Sequence, residues 1–411
     1  MASDGAIYVG GFVNGITNFG TAPFGESGES GYVIKLDAGG TPQWERHIGG
    51  LDFEIVTALA VMPDDGVVVV GEFYDQVVIP GGPMLDNLET TEHDAFVTRF
   101  SADGTHQWTR HFKGTNEERI RNVAVDAMGR IAFGGEFIEE LILDGSLNLM
   151  RTETNRQAFV AMLDGNGNLL WANAYGAGPS DKQVYAVRFA SDGDVLVSGD
   201  FFGDIDFDLG PSTATGQDAF VAKLDADAMG AGLWSTFVKG AGNEHVWSIA
   251  ECPDGSLALA GNFDQSAAVG NGPQLGTADE DLFVARIAAD GAHISSAHLP
   301  GTTRDIGYDH SIACDADGRI VLAGAFDTTR PFGSANAEME DGFVAKLDGR
   351  GGAFWVQTFF GAGEEQAKNL AFASDGGILV SGSFDVGITI GTVSYDAVGV
   401  GEDAFLVKLA P

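Results

Sequence analysis

Short runs of alternating apolar and polar residues follow one another along the whole chain. In the run 218–224, Phe220, Ala222 and Leu224 point to one side, which is the period of a β-strand. Turn signals that end in glycine, such as PDDG at 63–66 and SDG at 191–193, separate the runs, and glycine accepts the positive φ of tight hairpins. No helical pattern of ten or more residues occurs. The pattern therefore predicts an all-β protein.

The predicted strands belong to a repeat with a period of 60 to 64 residues. The segment DAFVTRF at 94–100 recurs in similar form at 157, 218, 281, 341 and 403, and a weaker copy begins at 30. Seven copies at so regular a spacing indicate a repeat architecture.

Each period contains four predicted strands, which we name A to D in chain order. Strand A is an apolar run such as that in 120–126, strand B ends in Gly-x-Phe, and strand C contains the DAFVAKL-like segment. We expect the recurrent Phe and Trp side chains to form the core between neighbouring sheets. Strand D carries a tryptophan in five copies, Trp44, Trp108, Trp171, Trp234 and Trp355, with Ile294 as the exception.

Four short strands form a sheet that cannot bury both of its faces alone. Radial stacking of such sheets buries both faces and leaves only short edges. We therefore predict one domain over residues 1–411, a β-propeller with seven blades of four-stranded antiparallel sheets. The sequence supplies six A, seven B, seven C and six D strands, so the first and last blades are expected to be incomplete.

The combination of Gly-x-Phe, a long acidic loop, DAFVAKLD, Asp-Gly turns and a late tryptophan resembles the bacterial seven-bladed β-propeller (SBBP-type) repeat proteins. The resemblance covers the whole chain. It implies a secreted or cell-surface propeller, and it supplies no catalytic residues.

The first residues, MASDGAIYVGG, resemble FASDGDVLVSG at 189–199 and FASDGGILVSG at 372–382. This alignment places Met1 where strand A should end. We expect the chain to be truncated at its N-terminus, with an upstream segment supplying a D strand and an A strand and any signal peptide lost with it. The alternative is a true start that leaves two three-stranded blades.

The charge is strongly unbalanced, with 22 lysine and arginine residues against 59 aspartate and glutamate residues, a net charge of −37. Such a polyanion repels phosphate backbones and anionic lipid headgroups, so nucleic acid and membrane insertion are not expected. Solubility in a salty or extracellular medium explains the charge; capture of cations or a basic partner is the alternative. Cys252 and Cys314 alone leave the redox compartment open.

No nucleophile–base pair, metal-ligand spacing or cofactor loop occurs in the sequence. We therefore predict a non-catalytic, secreted or cell-surface interaction module without a cofactor, whose partner is an unknown protein or glycan. The alternatives are an uncharacterised propeller hydrolase or lyase and a calcium-binding structural protein, since fold alone excludes neither.

One position of strand A changes its residue type from copy to copy, although a purely structural position should keep it. It lies eight residues before each turn glycine, and we expect it at the mouth of a central channel on the face that carries the long B-to-C loops. At this position, a tryptophan, whose indole carries a polar N–H, suits stacking on a ligand, and an arginine or lysine would select an anionic group. Trp247 is also the single tryptophan outside strand D. After Ala58, the copies hold the predicted binding residues Arg121, Tyr185, Trp247, His310 and Lys368.

Three further features carry weaker expectations. Asp204, Asp206 and Asp208 have strand spacing and could offer oxygen ligands to calcium, although a solvated edge explains them as well. His47 and His111 occupy equivalent places on D strands and are expected on the solvent-exposed surface. Apolar stretches in the long B-to-C loops, such as VVIPG and ITIGT, predict added edge hairpins.

Overall fold

A computed structural model describes residues 1–19, 25, 28–50, 53–87, 92–143, 148–151, 154–176, 178–277, 280–299, 311–326, 340–398 and 401–410. All regular structure in these ranges is β-strand. The strands form seven small antiparallel sheets, mostly four-stranded, and the fold is a seven-bladed β-propeller. The predicted fold class is confirmed.

The chain forms two compact units, which we describe separately. The first consists of Met1–Val197, Gly203–Thr213 and Lys223–Leu233, and the second of Ser198–Phe202, Ala214–Ala222 and Trp234–Pro411. The expected single domain stays a prediction.

Three sheets lie entirely within the first unit. Their strands are, in chain order, β1 (Ile7–Asn14), β2 (Glu29–Leu36), β3 (Pro42–Gly50), β4 (Glu54–Val61), β5 (Val67–Phe73), β6 (Gln76–Val78), β7 (Met84–Asp86), β8 (Asp94–Phe100), β9 (His106–Phe112), β10 (Glu118–Val125), β11 (Ile131–Phe137), β12 (Glu140–Ile142), β13 (Asn148–Met150), β14 (Gln157–Leu163) and β15 (Leu169–Tyr175). The sheet orders are β1-β2-β3-β6-β7, β4-β5-β8-β9 and β10-β11-β14-β15, with β12–β13 as a separate hairpin.

The fourth sheet begins with β16 (Lys182–Phe189), which lies in the first unit. It continues with β17 (Val195–Ile205), β18 (Ser212–Asp225) and β19 (Ala231–Gly240), whose residues divide between the units, and the strand order is β16-β17-β18-β19-β22-β23.

The second unit holds the remaining three sheets, with orders β20-β21-β24-β25, β26-β27-β28-β29-β32-β33 and β30-β31-β34. Their strands are β20 (Glu244–Glu251), β21 (Leu257–Phe263), β22 (Ser266–Val269), β23 (Leu275–Gly276), β24 (Asp281–Ile287), β25 (His293–Leu299), β26 (Ser311–Cys314), β27 (Ile320–Phe326), β28 (Asp341–Leu347), β29 (Ala353–Phe360), β30 (Glu365–Phe372), β31 (Ile378–Phe384), β32 (Gly387–Ile390), β33 (Val393–Asp396) and β34 (Asp403–Leu409).

The predicted strand count and the edge hairpins are both confirmed. Within the described ranges, six strands are of type A, seven of type B, seven of type C and six of type D, and the remaining eight strands are short. These eight form hairpins in the long B-to-C connections, and three of the hairpins pair with a D strand: β6 with β3, β22 with β19 and β32 with β29.

Type B strands are buried along their whole length on both faces, as in β5, β11, β21 and β27. This explains runs such as VVVVGEF, which are almost continuously apolar rather than alternating. The glycine of Gly-x-Phe is required by close packing. A Cβ on Gly71 would overlap the carbonyl oxygen of Ile55 on β4, and the same holds for Gly135 against Arg119.

A repeated hydrogen bond joins five of the six described D strands to the next repeat. The indole N–H of Trp44 donates to the carbonyl of Ala102 at 3.0 Å, and Trp108, Trp171 and Trp234 make the corresponding bonds. In β25 the residue in register with the tryptophans is Ser295, not Ile294, and its hydroxyl donates to the carbonyl of Gly349. The assignment of Ile294 to this position was wrong by one residue, as the pairing of Ser295 with Arg286 on strand C shows.

Buried carboxyl pairs recur where strand C and the following strand A begin. The pairs are Asp94 with Glu118, Asp218 with Glu244, and Asp341 with Glu365; each glutamate is fully buried, and its aspartate helps to raise its pKa. Two carboxylates offer only acceptors, so a buried pair of this kind is stabilised when one of them keeps a proton. Burial, and then the neighbouring Asp341, raise the pKa of Glu365 to about 8.

The cysteines form a disulfide. Cys314 ends β26 and Cys252 directly follows β20, and their Cα atoms lie 5.0 Å apart. The bond therefore joins the A strands of two neighbouring repeats within the second unit.

We predict that Glu365→Gln flattens the pH dependence of stability. A raised pKa in the folded state means that the stabilising contribution of protonated Glu365 is complete below the ordinary glutamate value. That contribution is lost as the pH rises through about 8. Glutamine keeps the donor at every pH. Between pH 5 and 8, the free energy of unfolding measured in urea should therefore fall less steeply with pH in the variant than in the wild type, by at most about 1.4 kcal/mol per pH unit. The exposed neighbour Glu364→Gln is the matched control. Equal slopes for both variants would contradict the shared proton.

We predict that replacing both cysteines by serine lowers the free energy of unfolding by about 3–4 kcal/mol, because the disulfide closes a long loop in the unfolded chain. Guanidinium unfolding measures the loss. A reductant should destabilise the wild type to the level of the variant and leave the variant unchanged. Two reactive thiols in the denatured, unreduced wild type would refute the bond.

Candidate functional site

A β-bulge occurs at the same place in four type A strands, opposite the glycine of Gly-x-Phe. In β10 the register shifts between Ile120 and Asn122, and Ile120 pairs with Gly135. The same shift occurs in β4, β20 and β30. A bulge re-aims the side chain of its extra residue. We call these residues the bulge residues: Thr57, Arg121, Trp247 and Lys368.

Three of the predicted binding residues are thus bulge residues. Tyr185 holds the corresponding place in β16 and is 7% exposed. Ala58 was misaligned by one residue: the turn residue with positive φ in its repeat is Asp65, not Gly66, so Thr57 takes the position. His310 lies outside the described residues. At one end of each sheet, strand B leaves for the long B-to-C connection, and we call this end of the sheet the long-connection end. The bulge lies near it.

In the first unit, arginines and glutamates alternate at the long-connection end. Arg121 donates through Nε to the carboxylate of Glu136 at 2.9 Å, and Glu136 is fully buried. Arg119 lies 3.2 Å from Glu72 and 2.6 Å from Glu117. The second oxygen of Glu117 accepts from Arg156 at 2.9 Å. We call Glu72, Glu117, Arg119, Arg121, Glu136 and Arg156 the arginine–glutamate cluster.

An aromatic group adjoins this cluster. His93 stacks on Tyr74 with ring centroids 3.8 Å apart, and Arg119 lies 3.2 Å from its Nδ1. Burial, and then the charge of Arg119, lower the pKa of His93 to about 4, so this imidazole is neutral at pH 7. Burial raises the pKa of Glu72 to about 7, although Arg119 opposes the shift.

In the second unit, aromatic and polar groups surround Trp247. Its ring stacks on His245 at a centroid distance of 4.6 Å and an interplanar angle of 10°. The indole N–H donates to Asn262, and His245 bonds the buried Asp200 at 2.5 Å. Asn262 in turn donates to Glu280. Trp247 is 8% exposed, so its ring is held by these neighbours and little of its surface is accessible.

Sequence reasoning missed the buried polar residues in the middle of Gly-x-Phe. These are Glu72, Glu136, Asp200 and Asn262, each at most 3% exposed. Each contacts an A-strand residue of the bulge region, as Glu136 contacts Arg121 and Asn262 contacts Trp247. The signal was present, because a charged residue inside an otherwise apolar, two-sided buried strand needs a partner.

The aspartates at 204–208 do not have strand spacing. β17 ends at Ile205, and Asp206 Oδ1 accepts from the backbone N–H groups of Leu209 and Gly210 at 3.0 Å each, which forms a turn. Asp208 has a positive φ of 65° and Asp204 accepts from Thr213. Across the described ranges, no group of three or more His, Cys, Asp or Glu side chains is arranged to hold a metal ion.

The two D-strand histidines are not free surface residues. His111 bonds the buried Asp94 at 2.6 Å, and its side chain is 19% exposed. The Nε2 atom of His47 is buried. Both histidines are half-buried rather than fully exposed, and the imidazole of His111 turns toward Asp94 at the start of strand C.

Two curated relatives are similar over most of this chain. An uncharacterized WD repeat-containing protein of Acanthamoeba polyphaga mimivirus is 22% identical over 86% of this chain, and the regulatory protein FlaEY of Caulobacter vibrioides is 25% identical over 91%. The alignments cover 31% and 41% of these relatives, so the chain spans well under half of their length. The similarity supports a propeller repeat protein. No family model matches, and the SBBP-type assignment stays a prediction.

Solved structures resemble the chain only distantly. The intramolecular trans-sialidase of Ruminococcus gnavus is 10% identical over 92% of this chain and 88% of that chain, with a TM-score of 0.39. A protein of unknown function from Bacteroides caccae is 12% identical over 61% of this chain and 68% of that chain, with a TM-score of 0.33. Scores this low carry no inference about function.

We predict that Arg121→Ala lowers the free energy of unfolding by about 2–4 kcal/mol, because it leaves Glu136 buried without its cation. Adding Glu136→Gln should restore a large part of the loss, which a double-mutant cycle by urea unfolding measures. The control is Arg350→Ala in the exposed turn between β28 and β29. Additive effects of the two substitutions would show that the pair is not coupled.

Proposed function

We propose that this chain is a non-catalytic interaction module, secreted or on the cell surface, that binds a protein or glycan through its bulge residues. The observation that supports this most directly is the conserved backbone feature with a variable side chain. The same bulge, opposite the same glycine, presents Thr57, Arg121, Trp247 and Lys368 in four repeats. The buried strand B residues fix Arg121 and Trp247 in place, and the variety of residue types across the four repeats suits recognition of an irregular surface.

The chemistry of these residues suits recognition rather than turnover. Trp247 is held rigidly by His245 and Asn262, so little side-chain entropy is lost when a ligand contacts it. Lys368 is a half-buried cation in a chain of net charge −37, and it favours an acidic group on the partner, whereas Glu136 already pairs with the charge of Arg121. The similarity to a WD repeat-containing protein and to a regulatory protein supports the same role.

The proposed location rests on the disulfide. A bond between Cys252 and Cys314 persists in oxidising compartments and is rare in the cytosol. None of the described residues forms a helix that could cross a lipid bilayer. Fractionation of the native host, with thiol alkylation before lysis, tests the location; recovery in the cytosol with both thiols alkylated would contradict it.

We predict that Lys368→Ala and Trp247→Ala weaken binding of a ligand selected on glycan and peptide arrays. The expected loss for Trp247→Ala is about 1–3 kcal/mol, or roughly 5- to 150-fold in Kd, as for aromatic hot spots. Because Trp247 is buried, the variant is also expected to lose stability, so affinity is measured per folded molecule by interferometry.

The controls are Phe354→Ala, an aromatic exposed on β29, and Arg350→Ala, a cation in the adjacent turn. Both should bind like the wild type. The proposal fails if the controls lose affinity while the bulge variants keep it.

A further inference from the structure

Arg188 is a half-buried cation that has no carboxylate partner among the described residues. It lies on β16, one residue before the end of the strand and six residues beyond Lys182, which begins the strand at its long-connection end. No other described residue brings a carboxylate within ion-pair distance of it. Burial lowers the pKa of this guanidinium below its ordinary value, as desolvation of an uncompensated charge does. In a chain with 59 acidic residues, a desolvated arginine without an acid needs an explanation.

Its hydrogen bonds use only one side of the guanidinium. Nη1 donates to the side-chain oxygen of Asn122 at 2.7 Å and to the carbonyl of Val187 at 2.8 Å. Both bonds fix the plane of the group. Nε and Nη2 have no partner among the residues that the structure describes. The open edge therefore presents three N–H donors in a fixed fork, which is the geometry that accepts two oxygens of one anion.

The repeat shows that this arginine is not required by the fold. The A-to-B turn of this repeat begins at Ala190, two residues after Arg188. In five other copies, the residue two positions before the start of this turn is alanine: Ala60, Ala124, Ala250, Ala313 and Ala371. In the first unit Ala60 and Ala124 lie on β4 and β10, the A strands of the two preceding repeats. An arginine that replaces alanine once in six copies adds a desolvated charge, and its two hydrogen bonds through Nη1 offset that cost only in part.

We propose that Arg188 binds a small oxyanion, a carboxylate or phosphate group, through the open Nε–Nη2 edge of its guanidinium. Asn122 on β10, the A strand of the preceding repeat, orients the guanidinium by accepting a hydrogen bond from Nη1. The anion neutralises a charge that the protein leaves uncompensated, and partial burial strengthens the interaction relative to water. This site is distinct from the bulge residues, since Arg188 lies three residues beyond Tyr185 on the same strand.

The test is thermal unfolding of the full chain in sodium phosphate, sodium acetate and sodium chloride at equal ionic strength near 0.15 M, where screening of the net charge is the same. We expect phosphate or acetate to raise the Tm of the wild type over chloride by roughly 2–5 °C at concentrations well above Kd, because a ligand that binds only the folded state stabilises it. Chloride cannot bridge two donors through separate oxygens. Calorimetric titration of the responding anion gives its Kd.

Arg188→Ala should fold, because alanine is the residue of the other copies, and it should lose the anion-dependent shift. Arg188→Lys keeps the charge but not the fork, so its affinity should fall at least roughly tenfold. Arg350→Ala, an exposed arginine outside the site, should respond like the wild type. An equal shift in wild type and Arg188→Ala, or no shift in the wild type with either oxyanion, would overturn the proposal.

Discussion

The absence of a side chain at the glycine of Gly-x-Phe is the constraint on which the repeat depends. Strand B is buried on both faces, so strand A must approach it closely. At Gly71, Gly135, Gly261 and Gly382 the carbonyl of the facing A strand occupies the space that a Cβ would need. The bulge begins at this contact, and it turns the next residue of strand A away from the regular alternation. One glycine per repeat thereby sets both the packing and the aim of a side chain.

The residue after that glycine connects packing with chemistry. Glu136 and Asn262 are buried within an apolar strand, and a polar group there needs a hydrogen-bond partner. The bulge residues Arg121 and Trp247 supply it. The same side chains that could meet a partner are therefore fixed by the interior, which makes them rigid and also makes them costly to replace. Under the proposed function, affinity and stability are coupled at these positions for this physical reason.

The first position of strand A accepts either a glutamate or a lysine. At the start of strand A, Glu118, Glu244 and Glu365 meet an aspartate, whereas Lys182 occupies the same place in β16. Lys182 is fully buried and donates to the carbonyl of Ser180 at 2.7 Å. A carboxyl group that keeps its proton and an ammonium group are both donors, so either one satisfies the acceptors at this junction. What the fold requires there is a donor of suitable length rather than a particular charge.

The sequence by itself determined the strands, the seven repeats and the fold class, because alternation, Gly-x-Phe and the regular spacing are local signals repeated many times. It also determined that one position of strand A varies. It did not show that Thr57 rather than Ala58 holds this position, because the turn residue of positive φ in that repeat is Asp65 and not a glycine. The tryptophan position of β25 was assigned to Ile294, whereas the register with β24 places Ser295 there. The pairing of Glu136 with Arg121, of His111 with Asp94 and of Cys252 with Cys314 was decided by tertiary structure alone. Each pair joins residues 15 to 62 positions apart, and only the packing of strands brings such residues within hydrogen-bond or covalent distance.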